Sequence, residues 1–250
     1  MVKVVAIGDV HAEFDKLWRA LKEAYAADAA GLPTAPVREG RYRVVLLGDL
    51  VHPKSLEGYQ RLTGLPDYDP ENPEHLRAAA LAQVSELLKV KRFVEAAGGN
   101  AVVLLVNHDH AAVYHDVLLG NASGIEHREF DPKYGGHPLP PGVARWMEAW
   151  PKSYELMGVQ FAHAGPTPWL QSYDPLFYQT REAKTWWRET PDYVRRSGFR
   201  FGVYGHTPVE EIVIDREHGL AMIDALDRGQ FLELLIDEDR VEPQPVRISG

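Results

Sequence analysis

The 250-residue sequence contains no cysteine. That absence removes disulfide frameworks, thiolate zinc sites, iron–sulfur clusters and thiol nucleophiles, and leaves any metal to His, Asp, Glu or Asn. Positive charge is short: 27 Lys and Arg stand against 36 Asp and Glu, a formal net charge of −9. Binding phosphate backbones needs clustered cations, and no such run exists, so no nucleic-acid surface and no membrane surface is expected. Long apolar runs are missing too. The longest in a strand-like setting, residues 101–106, falls far short of the about 20 residues of a membrane span. Residues 1–7 lead straight into a strand pattern with no room for a signal peptide, so a cytoplasmic address is expected.

What is present is a globular composition with 45% hydrophobic residues and 11 His. A chain of this length buries roughly 70–75% of its unfolded surface, and one domain over residues 1–250 is expected. Residues 2–7 (VKVVAI) are a β-branched run stopping at Gly8-Asp9, and residues 13–30 read as a helix broken by Gly31 and Pro33. The grammar recurs at 42–47 (YRVVLL), ending in Gly48-Asp49, and at 101–106 (AVVLLV), ending in Asn107-His108 before a helical stretch at 111–119. Residues 74–97 have the composition of a long helix closed by Gly98-Gly99. This alternation favours strands joined by helical crossovers. Later, 144–149 reads as a short helix, and 159–162, 201–204, 211–214, 220–223 and 230–236 as strands of a second, more antiparallel sheet. Residues 53–73, with Pro53, Pro66, Pro70 and Pro73, and residues 120–141 are expected as loop insertions near the site mouth.

The apolar runs end in groups that bind metals or anions: Asp9 and His11, then Asp49, then Asn107 and His108. His163 and His206 repeat the theme beside small residues. In a parallel sheet the carboxyl ends of strands converge on one edge, so these distant residues are expected to meet.

GDVH (8–11), LLGDL (46–50), VNHD (106–109), HAGP (163–166) and YGHTP (204–208) resemble, in order, the five blocks of calcineurin-like metallophosphoesterases. The nearest branch is the phage- and bacterial-type serine/threonine phosphatases and symmetrical diadenosine tetraphosphatases. The resemblance implies an α+β fold of two mixed β-sheets packed as a sandwich flanked by helices, in four layers α/β/β/α. It also implies two divalent metal ions, Mn²⁺ foremost, with Fe or Zn²⁺ as alternatives. Carried over residue by residue, Asp9 and His11 hold the first ion, Asp49 bridges both, and Asn107, His163 and His206 complete the second. His108 then faces the leaving group as general acid. Independently, carboxylate and amide oxygens mixed with imidazole suit such ions, and a shared carboxylate can hold two of them about 3.5–4 Å apart. The implied activity is hydrolysis of a phosphate ester or anhydride by metal-activated hydroxide, on a phosphorylated small molecule or a phosphoprotein. Trp186-Trp187-Arg188 resembles the family's Trp-x-Arg segment, which makes Arg188 a candidate phosphate fork.

Two positions depart from the pattern. The family block Gly-Asp-x-Val-Asp-Arg-Gly is here Gly48-Asp49-Leu50-Val51-His52-Pro53-Lys54. His52 stands where an Asp orients the acidic His, and Pro53 where an Arg grips phosphate. Lys54, one residue on, offers a point charge without the fork. The metals are still expected to bind. His108 is expected to be a weaker acid, favouring good leaving groups, and monoester dianions are expected to be held less well than diesters or anhydrides. The alternatives are a metal-bound interaction module weakened in catalysis, and a phosphodiesterase or dinucleoside polyphosphate hydrolase in place of a protein or monoester phosphatase. His75, His127, His137 and His218 read as surface residues, and His110 and His115 as a solvated helix face.

Overall fold

The computed structural model describes residues 1–115, 124–166 and 175–249. The first half holds β1 (Val2–Ile7), α1 (Phe14–Glu23), α2 (Ala35–Arg38), β2 (Tyr42–Leu46), α3 (Leu56–Thr63), α4 (Pro73–Ala96), β3 (Ala101–Val103) and α5 (Asn107–Tyr114). Then follow α6 (Pro141–Glu148), β4 (Ser153–Leu156), β5 (Val159–Ala162), α7 (Pro175–Tyr178), α8 (Arg181–Glu189), α9 (Tyr193–Arg196), β6 (Phe201–Tyr204), β7 (Val213–Asp215), β8 (Leu220–Met222), β9 (Gln230–Ile236) and β10 (Val241–Arg247). No helix among the described residues is long and apolar enough to cross a membrane.

Among the described residues, two five-stranded mixed sheets result, ordered β10-β9-β1-β2-β3 and β4-β5-β6-β8-β7. In the first, β1, β2 and β3 are parallel, while β9 pairs antiparallel with β1 through Val4 and Leu234. In the second, β5, β6 and β8 are parallel and β4 and β7 are antiparallel edges. Both faces of β1 are covered, which is why its sequence is apolar throughout instead of alternating. Val5 and Ile7 pack with Leu17 and Leu21 of α1 and Leu87 of α4. Val4 and Ala6 face the second sheet and, with Leu232 and Leu234 of adjacent β9, share a core with its Phe161 and Val203.

The boundaries differ from the sequence expectation where local chemistry intervenes. The helix expected over 13–30 ends at Glu23, because Tyr25 turns left-handed (φ 58°) and Ala26 and Ala27 both donate to the Leu21 carbonyl. Asp28 then closes a turn by accepting from Ala30 and Leu32. Residues 230–236 join the first sheet, not the second. Residues 153–156 and 241–247 are strands that were not expected; the latter carries Pro243 and Pro245, which a sheet tolerates at its edge. The insertion at 53–73 contains α3, capped by Ser55, whose hydroxyl accepts from Gly58 N, and closed by left-handed Gly64. The helix expected over 111–119 is α5, which begins earlier and ends at left-handed His115; its remainder, like residues 120–123, lies outside the described residues.

Candidate metal centre

The carboxyl ends of β1, β2, β5, β6 and β8 deliver Asp9 and His11, Asp49, His163, His206 and Asp224 to one place, and the first turn of α5 adds Asn107 and His108. Two donor groups meet on one carboxylate: His11, Asp49 and His108 form one, and Asp9, Asp49 and His163 the other. Asp49 Oδ2 lies 3.4 Å from His11 Nε2 and 3.3 Å from His163 Nε2.

Carbonyl partners fix each imidazole. A carbonyl only accepts, so His11 Nδ1 donates to His52 O at 2.9 Å, His163 Nδ1 to Leu47 O at 3.0 Å, and His206 Nε2 to Tyr178 O at 2.8 Å. This leaves His11 Nε2 and His163 Nε2 facing the Asp49 carboxylate and Nδ1 as the uncommitted nitrogen of His206, the arrangement by which proteins orient histidine ligands. His163 Nε2 and Asn107 Oδ1 are buried with no hydrogen-bond partner among the described residues. Together with the oxygen and imidazole donors these orphaned atoms fit divalent cations.

Backbone strain concentrates here. His11, Ala12, Asp49, His52 and His206 all have positive φ, between 44° and 69°, a region that costs non-glycine residues of order 1–3 kcal/mol each. Gly205 lets the chain pass: a Cβ there would come within 2.1 Å of Asp9 Oδ1. Asp9 in turn accepts from His206 N with both oxygens, at 3.1 and 3.0 Å.

The electrostatics show a centre short of positive charge. Burial, with Asp224 and Asp49 nearby, holds the Asp9 carboxyl well above its usual range. Burial acts the same way on Asp49, but His163 and His108 outweigh it and hold that carboxyl low. Burial pulls His163 down, yet Asp49 and Asp9 push it up to about 9. His206 is lowered to about 3 by burial and by His163.

His108 is flanked by imidazoles and not by the carboxylate that the sequence resemblance led one to expect. His52 Nδ1 lies 3.1 Å from His108 Nδ1. His52 stacks on His127 with ring centroids 4.3 Å apart and planes 2° apart. Here the sequence reading of His127 as a surface residue is corrected: it is 5% exposed, because the segment after residue 124 folds inward over α3 and α4. Its Nδ1 meets Tyr59 Oη at 2.7 Å, and Tyr59 donates to Glu129 Oε1 at 2.8 Å. Gln83 Nε2 donates to the same oxygen at 2.9 Å while its Oε1 accepts from His52 N at 2.7 Å. A long-range buried network of this kind leaves no spacing signal in the sequence.

A cavity of about 290 Å³ adjoins the centre, lined by Asp9, His11, Glu13, Lys16, Lys54 and Arg61 among others. Lys54 Nζ pairs with buried Asp224 at 2.7 Å. Burial alone would lower Lys54, but Asp224 and Asp9 hold it above its ordinary value. Arg188 is exposed on α8 with its guanidinium 4.2 Å from the Trp187 ring centroid, and Trp187 is its described contact. Asp224 was missed in the sequence, although the apolar run before it ends as the other site strands do.

A model of the family described as calcineurin-like phosphoesterase matches residues 2–211. No match is found among curated proteins. Among solved structures, the chain is similar to a cold-active protein-tyrosine phosphatase of a psychrophilic Shewanella species, at 15% identity and TM-score 0.60, covering 100% of this chain and 81% of that one. It is also similar to a protein serine/threonine phosphatase from Saccharomyces cerevisiae, at 13% identity and TM-score 0.54, with 100% and 81% covered. A metallophosphoesterase from Sphaerobacter thermophilus aligns at 17% identity and TM-score 0.50, with 99% and 90% covered. At these identities the likeness is one of fold.

Proposed function

The chain belongs to the calcineurin-like phosphoesterase family and is thus a phosphoric ester hydrolase; on that premise we propose that Asp9, His11 and Asp49 hold one divalent ion, that Asp49, Asn107, His163 and His206 hold a second, and that His108 is the general acid. The observation that carries the reading is that one oxygen of Asp49 lies 3.4 Å from His11 Nε2 and 3.3 Å from His163 Nε2, so a single carboxylate faces a ligand of each proposed ion. When bound, two such ions supply Lewis-acid charge against the phosphoryl oxygens and acidify the attacking water, and Mn²⁺ suits this donor set, with Fe or Zn²⁺ as alternatives.

This chain's own residues do the rest. With Nδ1 committed to His52, His108 has Nε2 left to pass a proton to the departing oxygen, a step worth about 10²–10⁴-fold. Lys54 places a cation on the wall of the cavity that holds Asp9 and His11, with Lys16 and Arg61 beside it. Arg188 is not among the residues that line this cavity, so Lys54 is the phosphate contact in this reading. The substrate class is a phosphorylated small molecule or phosphoprotein. Within it, the neutral Pro53 and the pairing of Lys54 with Asp224 favour diesters and anhydrides over monoester dianions, which carry more charge to be held.

The test is Mn²⁺-dependent turnover of a monoester, a diester and a dinucleoside polyphosphate by the wild type, Asp49→Asn and His108→Ala. Loss of all turnover in Asp49→Asn, and a loss in His108→Ala that grows as the leaving group becomes less acidic, supports the reading. Full activity in Asp49→Asn contradicts it.

A further inference from the structure

The general acid leans on a neutral base, and the structure shows what holds that base in place. Proton counting through the network gives the tautomers. Gln83 Oε1 accepts from His52 N, so its amide NH₂ donates to Glu129 Oε1 and to Ala79 O. Tyr59 has one hydroxyl proton and gives it to Glu129 Oε1. The His127 Nδ1 that meets Tyr59 Oη must therefore carry a proton and donate it. In the neutral ring Nε2 then holds the lone pair, buried and with no hydrogen-bond partner among the described residues. His127 is thus a neutral imidazole of one tautomer, locked in angle by a tyrosine and a buried glutamate, with its flat face laid on His52.

We propose that His127 is a positioning residue for the general acid: its braced ring fixes the ring of His52, so that His52 Nδ1 presents a lone pair to His108 Nδ1. The inference rests on His108 acting as the acid. For His108 to give a proton from Nε2 it must keep one on Nδ1, and His52 Nδ1 must then be the acceptor, which puts the His52 proton on Nε2. The backbone of His52 is already tied, its N–H to Gln83 and its carbonyl to His11 Nδ1. Only the ring torsions stay free, and the ring has His127 stacked on it, Phe130 at 5.9 Å and His108 edge-on at 5.3 Å. Removing the stacked ring opens a void the size of an imidazole beside the residue that orients the acid. The three imidazoles do not form a further metal site as they stand. An ion bound through in-plane lone pairs of His52 and His127 would have to lie in two parallel planes at once.

The test compares kcat for a nitrophenyl ester and an alkyl ester of the same phosphate class, with bound metal measured in every variant. In His127→Ala, metal content is kept and kcat on the alkyl ester falls about tenfold more than on the nitrophenyl ester, part of the about 10²–10⁴-fold that acid catalysis supplies. His127→Phe keeps a flat ring on His52 and recovers most of that loss. Long-range ¹H–¹⁵N spectra are expected to show His127 protonated at Nδ1 in the wild type and a mixture of tautomers in Tyr59→Phe. Equal losses on both esters, failure of His127→Phe to recover, a proton on His127 Nε2 in the wild type, or a third ion held per chain would each overturn the proposal. His108→Ala separates the two readings: if its loss depends on the leaving group while that of His127→Ala does not, only the positioning role fails. If the loss in His108→Ala does not depend on it, both fail.

Discussion

The Nδ1 atoms of His52 and His108 lie 3.1 Å apart, so one proton is shared between two imidazoles where a carboxylate would have faced one. A carboxylate stabilises the imidazolium it orients; a neutral imidazole supplies direction without that charge. Glu129, the carboxylate of this network, is separated from His108 by Tyr59, His127 and His52.

The wild type is therefore expected to turn over nitrophenyl esters much faster than seryl or other alkyl esters. His52→Asp puts a carboxylate oxygen at the same place along the side chain as Nδ1, and Asp tolerates the left-handed backbone found there. Charge-assisted hydrogen bonds are about twice as strong as neutral ones, so the gap between the two esters narrows, by about tenfold for about 1.4 kcal/mol gained. Equal wild-type rates, or an unchanged ratio in His52→Asp, would contradict this.

Lys54→Met leaves Asp224, 1% exposed, without its ion-pair partner. An unsatisfied buried group of this kind costs about 1–3 kcal/mol, so Tm falls and KM rises. The Lys54→Met, Asp224→Asn double variant regains most of the Tm but not the KM. A Tm for Lys54→Met equal to that of the wild type would show that the pair contributes nothing.

Gly205→Ala drives a methyl against the Asp9 carboxylate. Metal affinity, read by calorimetry with Mn²⁺, is expected to weaken by about 10–100-fold, the usual range for disturbing groups behind a ligand. Wild-type affinity in this variant would mean that Asp9 is not a ligand.

Away from the centre, His218 Nδ1 meets Asp215 Oδ2 at 2.7 Å. That hydrogen bond raises His218 above its ordinary value. Burial would raise Asp215, but the backbone and side chain of His218 outweigh it and hold the carboxyl low. The His218 share of stability is complete below about pH 6.5 and is lost as pH rises through its raised value. The Asp215 share is present above about pH 3.9 and is lost as pH falls through its lowered value. Titration by NMR should find His218 above its ordinary value in the wild type and back at it in Asp215→Asn; no difference between the two contradicts the pairing.

The sequence was legible where a strand end carries its own chemistry. Asp9, His11, Asp49, Asn107, His163 and His206 each close an apolar run or open a helix, and five such blocks in order led to the family and to the layered fold. What stayed hidden depends on contacts between distant segments. His127 sits in a polar stretch that folds inward only because Tyr59 of α3 and Gln83 of α4 meet Glu129. β10 was masked by two prolines that an edge strand tolerates, and the end of α1 by an alanine run whose backbone turns back at Tyr25.

The central claim is that Asp49 is shared between two ions, and metal counting tests it most directly. Wild-type protein equilibrated with Mn²⁺ and desalted should hold two ions per chain by elemental analysis, and Asp49→Asn should hold at most one and hydrolyse nothing. A wild type that binds no more than one ion, or an Asp49→Asn protein that keeps both ions and its turnover, would contradict it.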